Sequence, residues 1–146
     1  MGENISFEQV LERSGSLAYT NKGVSMMPLL RHDRDIMIIH AKDRPLKKND
    51  AVLYRRPNGQ YILHRIVQVR KDGTYRIIGD NCYQSEFVPE DRIIGILTQV
   101  RRDGETVSCT DPAYLRYVRS VPWRRAVFTP VRLGRRALSK IYHFFF

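Results

Sequence analysis

The sequence predicts a mainly β fold: an antiparallel, partly closed, barrel-like sheet with a short N-terminal helix and a basic helical tail. Three observations carry this. Between residues 35 and 108, short runs rich in Ile, Val, Leu and Tyr alternate with turn-forming Gly, Asn and Asp. Before them, residues 5–13 carry apolar side chains at helical spacing. After Asp111 the composition changes to arginines and aromatics, with no further acidic residue.

The elements follow in chain order. Ser6 and Gln9 have the spacing of a capping box, and Phe7, Val10 and Leu11 share a helical face. Gly15 to Thr20 reads as a loop or short strand. Gly23 to Leu30, punctuated by Gly and Pro, reads as irregular. Asp35–His40 is a buried-type strand, and Ala51–Arg55 a second, ending at the Pro57-Asn58-Gly59 turn. Tyr61–Val69 is a longer strand with Ile62, His64, Ile66 and Gln68 on one face and Leu63, Arg65, Val67 and Val69 on the other. Lys71-Asp72-Gly73 marks a hairpin to Tyr75–Ile78, and Asp103-Gly104 joins Ile93–Val100 to Thr106-Val107-Ser108. In the tail, Ala113–Arg119, Trp123–Phe128 and Val131–Tyr142 read as three helices broken by Pro122 and Pro130. The division is a β domain over 1–111 and a basic amphipathic tail over 112–146.

A chain of 146 residues suits a single domain with its own core. Cys82 and Cys109 are too few for a disulfide framework and have no zinc-site spacing, so neither a metal nor another cofactor is expected. No apolar run approaches the roughly 20 residues of a membrane-spanning helix. The first ten residues contain Glu3 and Glu8 and no basic side chain, unlike a secretory signal. The expected compartment is the cytoplasm. The net charge is +10, and eight basic residues lie beyond Pro112, from Arg116 to Lys140. That block points to an anionic partner. Trp123, Phe128, Tyr142 and the terminal phenylalanines suit a lipid interface, with arginines meeting head groups. Solvated tail helices packed on the β domain are the competing reading.

Four separated pieces can carry chemistry. Gly23-Val24-Ser25-Met26-Met27-Pro28 holds a Ser in a shaped turn, as an exposed nucleophile requires. Backbone N–H groups around Gly23, Ser25 and Met26 are candidates to hold an oxyanion. His64 lies in mid-strand, where a general base can be rigidly aimed. Gly79-Asp80-Asn81 ends the strand paired with that of His64, so Asp80 can orient a His. Asp50 leads the strand beginning at Ala51. Singly, each piece also reads as ordinary loop, core or turn.

In this order and spacing, the pieces resemble the signal peptidase superfamily, which includes LexA-like self-cleaving peptidases. The resemblance covers about residues 17–101, from the Ser box to the late strand with Ile94-Gly95-Ile96. His64 stands where the common bacterial enzymes carry Lys. It is similar in this to the endoplasmic-reticulum, archaeal and spore-former branch, which pairs Ser with His and needs the Asp of the Gly-Asp-Asn turn. Glu86 falls near a second acidic position of that branch and is given a secondary role. The family's Gly-Asp pairs are Arg34-Asp35 and Asn49-Asp50 here, which implies altered turns on the same fold. The usual transmembrane anchor has no counterpart in this sequence.

The resemblance implies a serine endopeptidase that removes a leader or signal-like segment from a precursor peptide or protein. Ser25 would be its nucleophile, His64 its base and Asp80 the orienter. It implies an extended substrate cut after a small residue. The expected partners are that precursor and an anionic membrane surface met by residues 112–146, giving a cytoplasmic or membrane-peripheral protein. Two other classes compete: a catalytically silent scaffold, and a LexA-like regulator whose tail binds nucleic acid. The segment before the Ser box is too short for a helix-turn-helix domain, which disfavours the last.

Overall fold

The computed structural model describes residues 4–127. Its elements are α1 (Phe7–Ser14), β1 (Ser16–Thr20), β2 (Ile36–Ala41), β3 (Ala51–Arg55), β4 (Tyr61–Val69), β5 (Thr74–Ile78), β6 (Glu86–Pro89), β7 (Ile93–Arg102) and β8 (Glu105–Ser108). A second helix, α2, covers 112–127. The strands form one antiparallel sheet in the order β1-β2-β7-β3-β4-β5-β6, and β8 pairs the far end of β7. The antiparallel β class holds, with a helix at either end; the sheet itself does not close.

Local chemistry explains the boundaries. The Ser6 hydroxyl accepts the Gln9 N–H at 3.2 Å, and the Ser6 N–H donates to Gln9 Oε1 at 2.9 Å, so the capping box starts α1. Gly15, at φ 74°, ends it in a left-handed turn that a Cβ would disfavour. Period-two alternation then divides the sheet into two apolar faces. Ala51, Leu53 and Leu63 join Leu11, Met26, Leu30 and Ile39 in one core. Val52, Tyr54 and Ile66 join Tyr75, Ile77 and Val88 in the other. The strand bearing His64 is therefore buried on both faces over Leu63–Ile66.

Strand β7 is the hub, bonded to β2, β3 and β8. A Cβ on Gly95 would lie 2.5 Å from Ile39 Cγ2 and 2.8 Å from the His40 carbonyl oxygen. Gly95 thus lets β2 and β7 meet closely beneath α1.

One strand is unforeseen and one expectation needs correction. Glu86–Pro89 forms β6 at the sheet edge, a strand that its short, mixed sequence did not announce. The break expected at Pro122 is absent: α2 runs through it from 112 to 127. Pro122 removes one helical N–H. Tertiary packing offsets that loss, because Tyr114, Val118 and Val121 are buried and Arg125 donates to the Gly79 and Cys82 carbonyls. The helix expected over Val131–Tyr142 lies outside the described residues. Among the described residues, no helix is long and apolar enough to cross a membrane.

Gly95→Ala is expected to destabilise the protein by about 1–3 kcal/mol, since its methyl meets backbone and a stiff β-branched side chain. Urea unfolding checks this; an unchanged midpoint would mean that the strands separate at no cost.

Candidate active site

Ser25 sits in the turn between β1 and β2, partly exposed. This turn has little regular structure but many fastenings. Asn21 Nδ2 donates to the carbonyls of Gly23 (3.1 Å) and Leu30 (3.3 Å). Met26 and Leu30 plug into the core at 1% and 0% exposure. The Met27–Pro28 peptide bond is cis.

The other side of the turn is held by Gly79-Asp80-Asn81, and each residue does something different. The Asn81 N–H donates to the Ser25 carbonyl at 2.8 Å, and Asn81 Nδ2 to the Val24 carbonyl at 2.9 Å. The Asp80 N–H points at Met26 Sδ, 3.3 Å away. Gly79 is the point of closest approach: a Cβ there would lie 2.7 Å from the Ser25 carbonyl oxygen and 3.0 Å from His64 Nε2. The structure therefore brings the Ser25 carbonyl and the His64 ring up against the same Gly79 position, which has no room for a side chain. No hydrogen bond joins the Ser25 hydroxyl to His64 among the described residues.

His64 is buried in mid-β4, opposite Val52 of β3. Its Nδ1 is 3.3 Å from the Tyr54 hydroxyl, and the two rings meet edge to face. Burial pushes the imidazole pKa down to about 4. Glu86 opposes that shift, Arg56 reinforces it, and Asp80 opposes it more weakly. His64 is thus a neutral imidazole at pH 7.

Asp80 faces elsewhere. Its carboxylate takes two bonds from Arg65, from Nε and Nη2, both at 2.8 Å, and a third from the Tyr117 hydroxyl of α2 at 2.8 Å. Arg65 uses Nη1 for the Asn49 carbonyl (2.8 Å) and the Tyr114 hydroxyl (3.0 Å). Burial alone would lower the Arg65 pKa, but Asp80 outweighs it and holds the guanidinium charged. Of the two acids, Glu86 exerts the larger electrostatic influence on the imidazole. It pairs with Arg56 and adjoins the Tyr54 hydroxyl. Burial raises the Glu86 pKa, and the Arg56 pair more than reverses this, keeping it ionised.

Of the three candidate oxyanion donors, the Gly23 N–H is engaged by His32 Nδ1 at 2.6 Å. Ser25 and Met26 remain as the pair beside the hydroxyl. Asp50 closes onto Arg44 at 2.8 Å and caps the Lys47 N–H, a structural task at the entry to β3.

Sequence reasoning missed Tyr54, Arg65 and Arg56. For Arg65 a signal existed: a charged residue in mid-strand, on a face otherwise bearing Leu63 and Val67, needs a buried acid. For Tyr54 the signal was register, since a tyrosine two positions beyond Val52 is diagonal to the residue opposite it. No family model matches the chain, and no curated protein matches it either.

Asp80→Ala is expected to cost about 3–5 kcal/mol, because it leaves the Arg65 charge buried and unpaired. Chemical denaturation measures it, and a loss below about 1 kcal/mol would show the pair to be relaxed or wet. His64 is expected to titrate near pH 4 by NMR. The unfolded chain then binds a proton that the folded one refuses as pH falls from 6.5 toward 4, so stability drops across that window. His64→Asn should flatten that part of the acid slope. A midpoint at 6.5 or above would contradict the burial.

Proposed function

We propose that the chain is a serine endopeptidase in which Ser25 attacks a peptide carbonyl and His64 serves as general base. The observation that carries this reading is the convergence of the Ser25 turn and His64 Nε2 at Gly79. Nε2 lies on the Gly79 side of the ring, where the Ser25 carbonyl also approaches, while Nδ1 has its own partner in Tyr54. The resemblance of the Ser box, base strand and Gly-Asp-Asn turn to signal peptidases supports the same chemistry.

In the proposed mechanism His64 carries its proton on Nδ1, donated to the Tyr54 oxygen. The Tyr54 hydroxyl in turn faces Glu86. Nε2 is then free to accept the Ser25 proton as Oγ bonds to the scissile carbonyl carbon. The oxyanion is met by the N–H groups of Ser25 and Met26. Collapse breaks the C–N bond, and the departing amine takes the proton from Nε2. Water then repeats the cycle on the acyl-enzyme, with His64 again accepting the proton. The Ser25 hydroxyl must turn toward Nε2 as substrate binds, since catalytic hydrogen bonds often form only in the complex. The substrate proposed is a precursor bearing a leader-like segment with a small residue before the cleaved bond.

A silent binding domain is the second reading. It is favoured by the absence of a Ser25–His64 hydrogen bond among the described residues and by the commitment of Asp80 to Arg65. The two readings differ in one comparison. Wild-type protein is expected to cleave members of a peptide library with small residues before the scissile bond. Ser25→Ala and His64→Ala should each lose about a thousandfold or more in kcat. Tyr54→Phe should lower kcat with KM unchanged. Equal cleavage by wild type and Ser25→Ala would remove Ser25 from the mechanism, and no cleavage by any protein, with lipid present or absent, would favour the silent domain.

A further inference from the structure

Helix α2 has two faces of different character. Its inner face holds Tyr114, Val118 and Val121, at 6%, 7% and 3% exposure, against the body of the protein. At 100° per residue, the opposite face carries Arg116, Arg119, Trp123 and Val127, with Leu115 on its flank. A helix docked by one face ordinarily presents polar side chains on the other. Here Trp123 is 76% exposed, Val127 57% and Leu115 42%. The arginines between them make no ion pair among the described residues, and no acidic residue lies anywhere in α2.

This face does not end at the helix. Leu115 and Arg119 also line a cleft of about 640 Å³ between α2 and the 43–50 loop. Arg44, Lys47 and Lys48 lie on its other wall. Arg44 is neutralised by Asp50, whereas the ammonium groups of Lys47 and Lys48 have no ion-pair partner among the described residues. Asp43 is the acidic side chain on that wall not so neutralised. The result is an apolar ridge of Leu115, Trp123 and Val127 bordered by cations.

We infer that the outer face of α2, with the Lys47–Lys48 wall of the cleft, docks the protein on an anionic phospholipid bilayer. Charge complementarity selects the occupant's sign: lysines and arginines near an acidic surface each contribute about 1 kcal/mol. The exposed apolar side chains select lipid over nucleic acid. Phosphate contacts alone would use the arginines and leave Leu115 and Val127 in water, whereas an interfacial helix buries them. Trp, with its amphipathic ring, suits the head-group level. The remaining chain continues the same charge, with Arg132, Arg135, Arg136 and Lys140 and no acid. That charge makes it a poor occupant for the cationic wall and a good neighbour for the same bilayer. Docking requires nothing of Ser25 and stands or falls apart from the peptidase reading.

Trp123 is the single tryptophan of the chain, so its fluorescence reports this face alone. Full-length protein is mixed with vesicles of phosphatidylcholine, or of phosphatidylcholine with phosphatidylglycerol, at moderate salt. The expected result is co-sedimentation and a blue shift of Trp123 with the anionic vesicles only. Arg116→Gln/Arg119→Gln should lower the partition coefficient by roughly thirtyfold, two cationic contacts being lost. Lys47→Gln/Lys48→Gln should weaken it similarly, and circular dichroism shows that both variants keep the fold. Absence of binding would overturn the proposal. So would binding with unmoved Trp123 emission and no effect of the substitutions, since the contact would then lie elsewhere. Binding to a DNA or RNA oligomer with none to vesicles would assign the face to nucleic acid instead.

Discussion

The buried pair of Arg65 and Asp80 is the interaction on which the arrangement around His64 depends. A charged pair withdrawn from water costs several kcal/mol per ion unless its remaining hydrogen-bonding groups are satisfied. Here they are. Arg65 gives two bonds to Asp80, one to the Asn49 carbonyl and one to Tyr114, and Asp80 takes a further bond from Tyr117. Four parts of the chain thereby meet at one charge pair: the β4 strand, the turn after β5, the loop before β3, and α2. Each could drift on its own. Movement of any one would strand a charge or a carbonyl in the interior.

What hangs from this pair is the serine turn. A backbone segment without strand or helix partners has its polar groups to satisfy, and here Asn81 satisfies two of them. That turn in turn is fixed because the Asp80 side chain is fixed. The chain of dependence runs from a strand residue, Arg65, through a carboxylate to the two Asn81 bonds that hold Val24 and Ser25. α2 belongs to it as well, because Tyr117 and Arg125 grip the same turn from outside. A helix that composition alone separates from the β domain is, at least up to residue 127, part of the support for its candidate site.

How much of this could be read in advance follows the range of the interactions. Strands β3 and β4 were read with their observed ends because alternation and the Asn58-Gly59 turn are local signals. The α1 cap was legible for the same reason. β6 was not: four residues including a proline have no periodicity to measure, and pairing with β5 creates the strand. Pro122 misled because the loss of one helical N–H is a local fact, while the burial that outweighs it is tertiary. In the site, Ser25, His64 and Gly79 could be proposed from motif order. The partners of each could not. Asp80 was expected to orient the imidazole, yet the structure turns its carboxylate to Arg65, and the nearest polar contact of His64 is a tyrosine.

That difference has a simple geometric origin. His64 and Arg65 are neighbours on one strand, so their side chains leave it on opposite faces. Arg65 is the stronger claimant on any nearby carboxylate, since its fork offers two parallel donors and cannot lose its charge. An acid at the end of the adjoining strand is then drawn to the arginine's side. The imidazole, left on the other face among apolar residues, has to be held by something that tolerates burial. A tyrosine does, being apolar except at its tip, and it places no second charge against the ring. The consequence is a histidine kept neutral by its surroundings. An imidazole held near 4 keeps its lone pair free at pH 7, yet it is a weaker proton acceptor than one poised near the working pH, so burial sets both the charge state of this ring and its strength as a base.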